Sequence, residues 1–215
     1  MNKIIQTLGI LPDPSKTVKI ILSVEGPNDI SYLIHISKIL NSEDPSIICL
    51  KQEEEKGTLI FNILGGGNLK HHVENRYFKR LNVFEYLIVD RDEDGKYVEF
   101  ANKMKEDDNS DSAVTVKLMM ENYLHPQAIE EHFDVYEEYL DDKINYDHIN
   151  TEENYLKPLI SELKRVRYSR SSDSKVKSEL NNSAVQKMTT ARLKEIGGYE
   201  EIKSWLDFIK FKIEN

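Results

Sequence analysis

The sequence predicts an α/β fold, a mainly parallel sheet with flanking helices followed by a helical C-terminal addition. Three observations predict it. Short apolar runs of strand length end, one after another, in acidic residues; segments with helical spacing separate them; and beyond Pro126 the chain turns to charged helical stretches. Strands joined by helices pair in parallel through right-handed crossovers, so their carboxyl ends gather on one edge of the sheet, where ligands bind.

Val18 to Val24 is apolar and β-branched and stops at Glu25-Gly26-Pro27, the pattern of a buried strand entering a tight turn. From Asn28 the apolar residues Ile30, Leu33, Ile34 and Leu40 recur at helical spacing. Asn28 suits the cap of that helix, and Asp29 stands open between capping it and ligating an ion. Ile47 to Leu50 and Thr58 to Leu64 read as two strands separated by a charged turn from Glu53 to Gly57, the second running into Gly65-Gly66-Gly67. A helix is expected from Asn68 to Arg80. Tyr86 to Val89 is a continuous apolar strand ending in Asp90-Arg91-Asp92-Glu93-Asp94-Gly95. Lys96 to Lys105 reads as a helix, Glu106 to Ser112 as a loop, and Ala113 to Met120 as a strand that stops at Glu121. The expected division is an α/β domain over residues 1–125 and a helical region over 126–215.

The chain has 215 residues, 39% of them hydrophobic and 31% charged, enough apolar surface to offset the entropy of folding. No apolar run approaches the roughly 20 residues needed to span a bilayer, and Pro12 and Pro14 interrupt the start before a signal-like core forms. No membrane partner and a cytoplasmic location are therefore expected. The single cysteine, Cys49, lies in an apolar stretch and reads as core.

A net charge of -9 argues against indiscriminate nucleic-acid binding, but its distribution is uneven. Residues 156–194 hold ten Lys and Arg against three acids, or +7, which leaves 19 against 35, or -16, for the remainder. This basic segment is the candidate phosphate-facing surface, with Lys164, Arg165, Arg167, Arg170, Lys175 and Lys177 as its contacts.

Asp90 and Asp92 are two apart on a segment read as extended, so both side chains can leave one face and grip a hard cation with oxygen. Glu25 ends another strand, with Asp29 in the first turn of the following helix. Gly26 allows a sharp turn there, and the helix N-terminus offers N–H groups and partial positive charge to a phosphate.

A strand ending in Glu-Gly-x-x-Asp, followed by a strand ending in Asp-x-Asp, resembles the pattern of TOPRIM domains, and Glu121-Asn122-Tyr123-Leu124 is similar to the Glu-Asn-Tyr-Leu signature of OLD (overcoming lysogenization defect)-like nucleases and their stand-alone relatives in anti-phage defence. The resemblance runs from about Val18 to Leu124. It implies a Rossmann-like TOPRIM fold and an Mg- or Mn-dependent endonuclease. The two-ion site it implies is formed by Glu25, Asp29, Asp90, Asp92 and Glu121, with Glu25 also serving proton transfer. It implies as well a lysine beyond the core that steadies the reacting phosphate, for which Lys187 is the preferred candidate. OLD proteins usually carry an ATPase on the same chain; this sequence has no Gly-x-x-x-x-Gly-Lys, which points to a separate ATPase partner. DNA, RNA and tRNA all stay open as substrates, as does a homo-oligomer. The alternatives are an M5-like RNA-maturation ribonuclease and a non-catalytic TOPRIM module that binds nucleic acid or a partner.

Other signals carry less. Gly65-Gly66-Gly67 reads as a phosphate cradle or a plain strand-to-helix turn. His71 and His72 point about 100° apart on a helix, lack a completing ligand set, and read as surface or groove residues. Glu130 to Asp147 reads as a solvated acidic face, and Trp205, Leu206, Phe208 and Ile209 as the apolar side of a final helix.

Overall fold

The computed structural model describes residues 18–65, 67–81, 83–92, 95, 97–134, 143–146, 156–166 and 173–215. Four strands, β1 (Ile20–Val24), β2 (Leu59–Ile63), β3 (Phe84–Val89) and β4 (Ser110–Val114), form one sheet in the order β2-β1-β3-β4. Every pairing is parallel, with Ile20 opposite both Leu59 and Phe84, and Glu85 opposite Ser110. The expected α/β class with a parallel sheet is therefore the one observed, and all four carboxyl ends lie on one edge.

The first half of the chain supplies α1 (Pro27–Glu43), α2 (Leu50–Lys56), α3 (Leu69–Asn75) and α4 (Val98–Met104). Strand side chains alternate between two covered faces. On one face Ile20, Leu22 and Val24 join Tyr86 and Ile88 in a core with Tyr32, Leu33, Ile36 and Leu40 of α1. On the other, Leu87 and Val89 meet Leu69 and Val73 of α3 and Tyr97, Ala101 and Met104 around α4. Two-sided cover explains why β1 is apolar at almost every position and wholly buried.

Beyond residue 125 come α5 (Pro126–Asp134), α6 (Leu156–Val166), α7 (Asp173–Asn182), α8 (Thr190–Glu195) and α9 (Tyr199–Glu214). These helices share the larger core with the sheet: Val176 and Leu180 of α7 and Ile202, Trp205, Leu206 and Ile209 of α9 belong to the same cluster as β1. α7 packs on α1 and touches the 3-10 turn Met120–Tyr123. Among the described residues no helix is long and apolar enough to cross a membrane.

Four segments differ from expectation. Ile47 to Leu50 is not a strand; its side chains are buried, but Leu50 opens α2, which ends at Gly57 in the left-handed region with φ 76. Four apolar residues fit a buried approach to a helix as well as a strand. The fourth strand lies at Ser110–Val114 rather than Ala113 to Met120, because its polar side chains bond to the adjoining helix: Ser112 Oγ donates to Ala101 O at 2.6 Å and Ser110 Oγ to Met104 O. Leu118 and Met119 are instead buried in an irregular connection, and the buried Met120 opens the 3-10 turn. The helix expected from Asn68 to Arg80 stops at Asn75, where Arg76 turns left-handed, and a 3-10 turn follows at Lys79–Leu81. Of Lys96 to Lys105, the helical part is Val98–Met104.

Candidate metal centre

Glu25 follows the last residue of β1, and Asp90 the last residue of β3. Ladder bonds continue just past both strands, Gly65 N–H to Glu25 O at 2.8 Å and Thr115 N–H to Val89 O at 3.0 Å, so the acidic positions are fixed by the sheet itself. Pro27 then starts α1, with Gly26 rather than Asn28 at the cap position. Asp29 is in the first turn, and its Oδ2 accepts the Gly26 N–H at 2.8 Å. Asp29 therefore caps the turn and, at the same time, faces the other carboxylates.

After Asp90 the chain leaves the strand at once. Arg91 N–H donates to Thr115 Oγ1 at 2.9 Å and Asp92 N–H to Leu118 O at 3.0 Å, while Asp92 takes φ 52. The extended Asp90 to Asp92 segment expected from spacing is thus replaced by a turn, in the left-handed conformation that Asp tolerates better than most residues. Glu121 arrives on the 3-10 turn Met120–Tyr123 and is 2% exposed. Its neighbours in the Glu-Asn-Tyr-Leu segment lock that turn: Asn122 Oδ1 accepts Met119 N–H, and the buried Tyr123 hydroxyl donates to Glu201 of α9 while accepting Lys117 N–H.

Electrostatics bind these positions into one site. Burial, then the charge of Glu121, pushes the Asp29 carboxyl up to about 6. Burial also drives Asp90 well above the usual carboxylate range, followed by Glu121, Asp29 and Glu25. Asp90 Oδ1 is sealed from solvent and accepts no hydrogen bond, and Glu25 Oε1 is sealed as well.

The cation in this cluster is Lys177 of α7. Its Nζ is 3.7 Å from Glu121 Oε2. Burial pulls its pKa down, yet Glu121, Asp90, Asp29 and Asp92 together push it up. One turn further along the same helix, Asn181 Nδ2 donates to Glu121 Oε1 at 2.8 Å. The sequence places Lys177 on an outer phosphate-binding surface; it turns inward because α7 buries Val176 and Leu180, which directs the adjoining face at the sheet edge. Asn181 escapes sequence reasoning altogether, although four residues on from Lys177 is the spacing that stacks two side chains on one helical face.

The remaining expected residues that are described lie elsewhere. Lys187 is exposed, its carbonyl accepts from Arg192, and Arg192 pairs with Glu131, so Lys187 is not the ammonium among the acids. Lys164 pairs with Asp173 at 2.6 Å and Arg165 with Glu162 at 2.7 Å, while Lys175 is exposed. Arg167, Arg170, Glu93, Asp94, Gly66 and much of Glu130 to Asp147 fall outside the described residues. His72 is not a surface residue: it is 6% exposed, with Nε2 2.7 Å from Glu85 Oε1, a carboxylate that also accepts from Ser23 Oγ.

Among the described residues no three His, Cys, Asp or Glu side chains stand as a ready-made ion cage. Glu121 is turned toward Asn181 and Lys177. The donor set is nevertheless chemically suited to a hard divalent cation: half-buried and buried carboxylates, with Asp90 Oδ1 sealed from solvent and without a hydrogen bond. Comparison with protein-family models, curated proteins and solved structures gives no match.

Proposed function

We propose that this chain is a divalent-cation-dependent phosphodiesterase acting on nucleic acid, a TOPRIM-type nuclease of the OLD-like class. The observation that carries the reading is Asp90, whose buried Oδ1 takes no hydrogen bond while Glu121, Asp29 and Glu25 crowd it with negative charge. Such crowding is costly in the isolated protein and is relieved by a cation.

Glu25, Asp29, Asp90, Asp92 and Glu121 would hold the Mg2+ or Mn2+, one ion or two. Bound there, the ion supplies Lewis acidity toward phosphate and lowers the pKa of water. Lys177 offers its ammonium to a non-bridging phosphate oxygen, the task for which the resemblance made Lys187 the preferred candidate, and exchanges its carboxylate contacts for that one. Glu25, directly after β1, takes the proton of the attacking water. The positive end of α1 points at the same edge and favours a phosphate there. On this reading the chain serves as a defence effector in the cytoplasm, restrained by a separate ATPase.

The test is cleavage of plasmid, single-stranded DNA and total tRNA by the purified chain with Mn2+ or Mg2+, alone and with its ATPase partner. Cleavage is expected to stop in EDTA and in Asp90→Ala. Undiminished cutting under either condition rules the site out.

A further inference from the structure

Resting on the cation reading above, we propose that Asn181 is a positioning residue of the centre, fixing Glu121 through its amide nitrogen and serving the ion's coordination shell through its amide oxygen. Asn181 is 1% exposed, on a helix from the far end of the chain. Its Nδ2 donates to two acceptors, Glu121 Oε1 and Lys177 O, each at 2.8 Å. The Lys177 carbonyl has no proton to give, so it fixes the orientation of the amide, and the nitrogen cannot exchange places with the oxygen.

That leaves Oδ1 buried and without any hydrogen bond. A buried amide oxygen ordinarily finds a donor, because leaving one unmade forfeits its hydration with nothing in return. Here a second such oxygen, Asp90 Oδ1, belongs to the same carboxylate cluster, and Glu121 links the two: it neighbours Asp90 electrostatically and accepts directly from Asn181. Two sealed oxygens around one carboxylate match the requirement of a hydrated hard cation, which takes neutral amide oxygens or offers water protons to them. A purely structural asparagine would need only its two donated bonds, and a leucine of similar volume would serve the packing as well.

The experiment uses the full chain and reads ion binding rather than turnover. Mn2+ affinity is measured from the free-ion electron paramagnetic resonance signal, and melting temperature is recorded in EDTA and in Mn2+, for the wild type, Asp90→Asn, Asn181→Leu and Asn181→Asp. Asn181→Leu is expected to bind Mn2+ about tenfold or more weakly, the usual effect of losing an outer-shell partner. Asn181→Asp, which sets a charge against Glu121, should melt lower in EDTA yet gain more from Mn2+ than the wild type does. Wild-type Mn2+ affinity in both Asn181 variants, with equal losses of melting temperature in EDTA and Mn2+, overturns the inference while Asp90→Asn still loses the ion. Equal Mn2+ binding by Asp90→Asn and the wild type overturns the cation reading itself.

Discussion

Replacing Asp29 by asparagine should stabilise the metal-free protein, and the size of the gain follows from the site. The Asp29 carboxyl is raised from 3.8 to about 6 by burial and by Glu121. Between these values the folded state binds more protons than the unfolded one, so stability is fullest below pH 3.8 and is lost as pH rises through 6. A rise of that size costs about 3 kcal/mol once both states are ionised. The asparagine amide would keep an oxygen to accept the Gly26 N–H but would give up the attraction of a charge to the start of α1, about 0.5 kcal/mol. The net expectation is about 2.5 kcal/mol at pH 7.5, or about 5–10 °C in melting temperature for a chain of this size. Thermal melts by circular dichroism in EDTA from pH 4 to 8 should show the two proteins converging near pH 4, separating as pH rises toward 6, and keeping a constant gap above that. On the proposed cation reading, added Mn2+ should reverse the order, since an ion bound there gains most from the charge that destabilises the metal-free protein. A variant that melts at or below the wild-type temperature across the whole range in EDTA would refute the crowded-carboxylate reasoning.

Two further substitutions probe the scaffold. A methyl group at Gly198 would lie 2.8 Å from Tyr123 Cδ1 and 3.0 Å from Leu193 Cδ1, so Gly198→Ala should cost about 1–3 kcal/mol by overpacking; an unchanged denaturant midpoint would show that α9 shifts freely against the Glu121 turn. His72→Leu strands the buried Glu85 carboxylate with Ser23 Oγ as its remaining close donor, and should cost about 3–5 kcal/mol in urea unfolding, with the double variant His72→Leu, Glu85→Leu recovering part of the loss. No recovery in the double variant would mean that the pair is not the source of the cost.

Legibility in the sequence followed the range of the interaction involved. The ends of β1 and β3 could be read because a β-branched run marks a buried strand and the first charge beyond it marks the rim, so Glu25 and Asp90 fell where expected. Asp92 did not, since the left-handed turn at φ 52 depends on a bond to Leu118, 26 positions away along the chain. His71 and His72 diverge by about 100° on any helix, which the sequence shows. What the pattern lacked was the phase: Glu85 on β3 decides that His72, and not its neighbour, points inward. The same gap hid α7. Lys177 and Asn181 sit in a basic, polar stretch that looks like a solvated surface, and only the packing of Val176 and Leu180 reveals which side of the helix meets Glu121. Lys187, chosen from the same stretch without that phase, lies instead beside Arg192.

The bond from Asn181 to Glu121 spans 60 positions, and this sets an order of events during synthesis. A ribosome makes every carboxylate of the rim before it makes α7, so for several seconds at ordinary elongation rates the emerging sheet edge carries its negative charges with neither Lys177 nor Asn181 in place. The acidic edge on a nascent chain is thus a half-built device. It is completed only when the C-terminal helices fold back, and a chain interrupted by premature termination before Asp173 would be released with the acidic edge but with neither Lys177 nor Asn181.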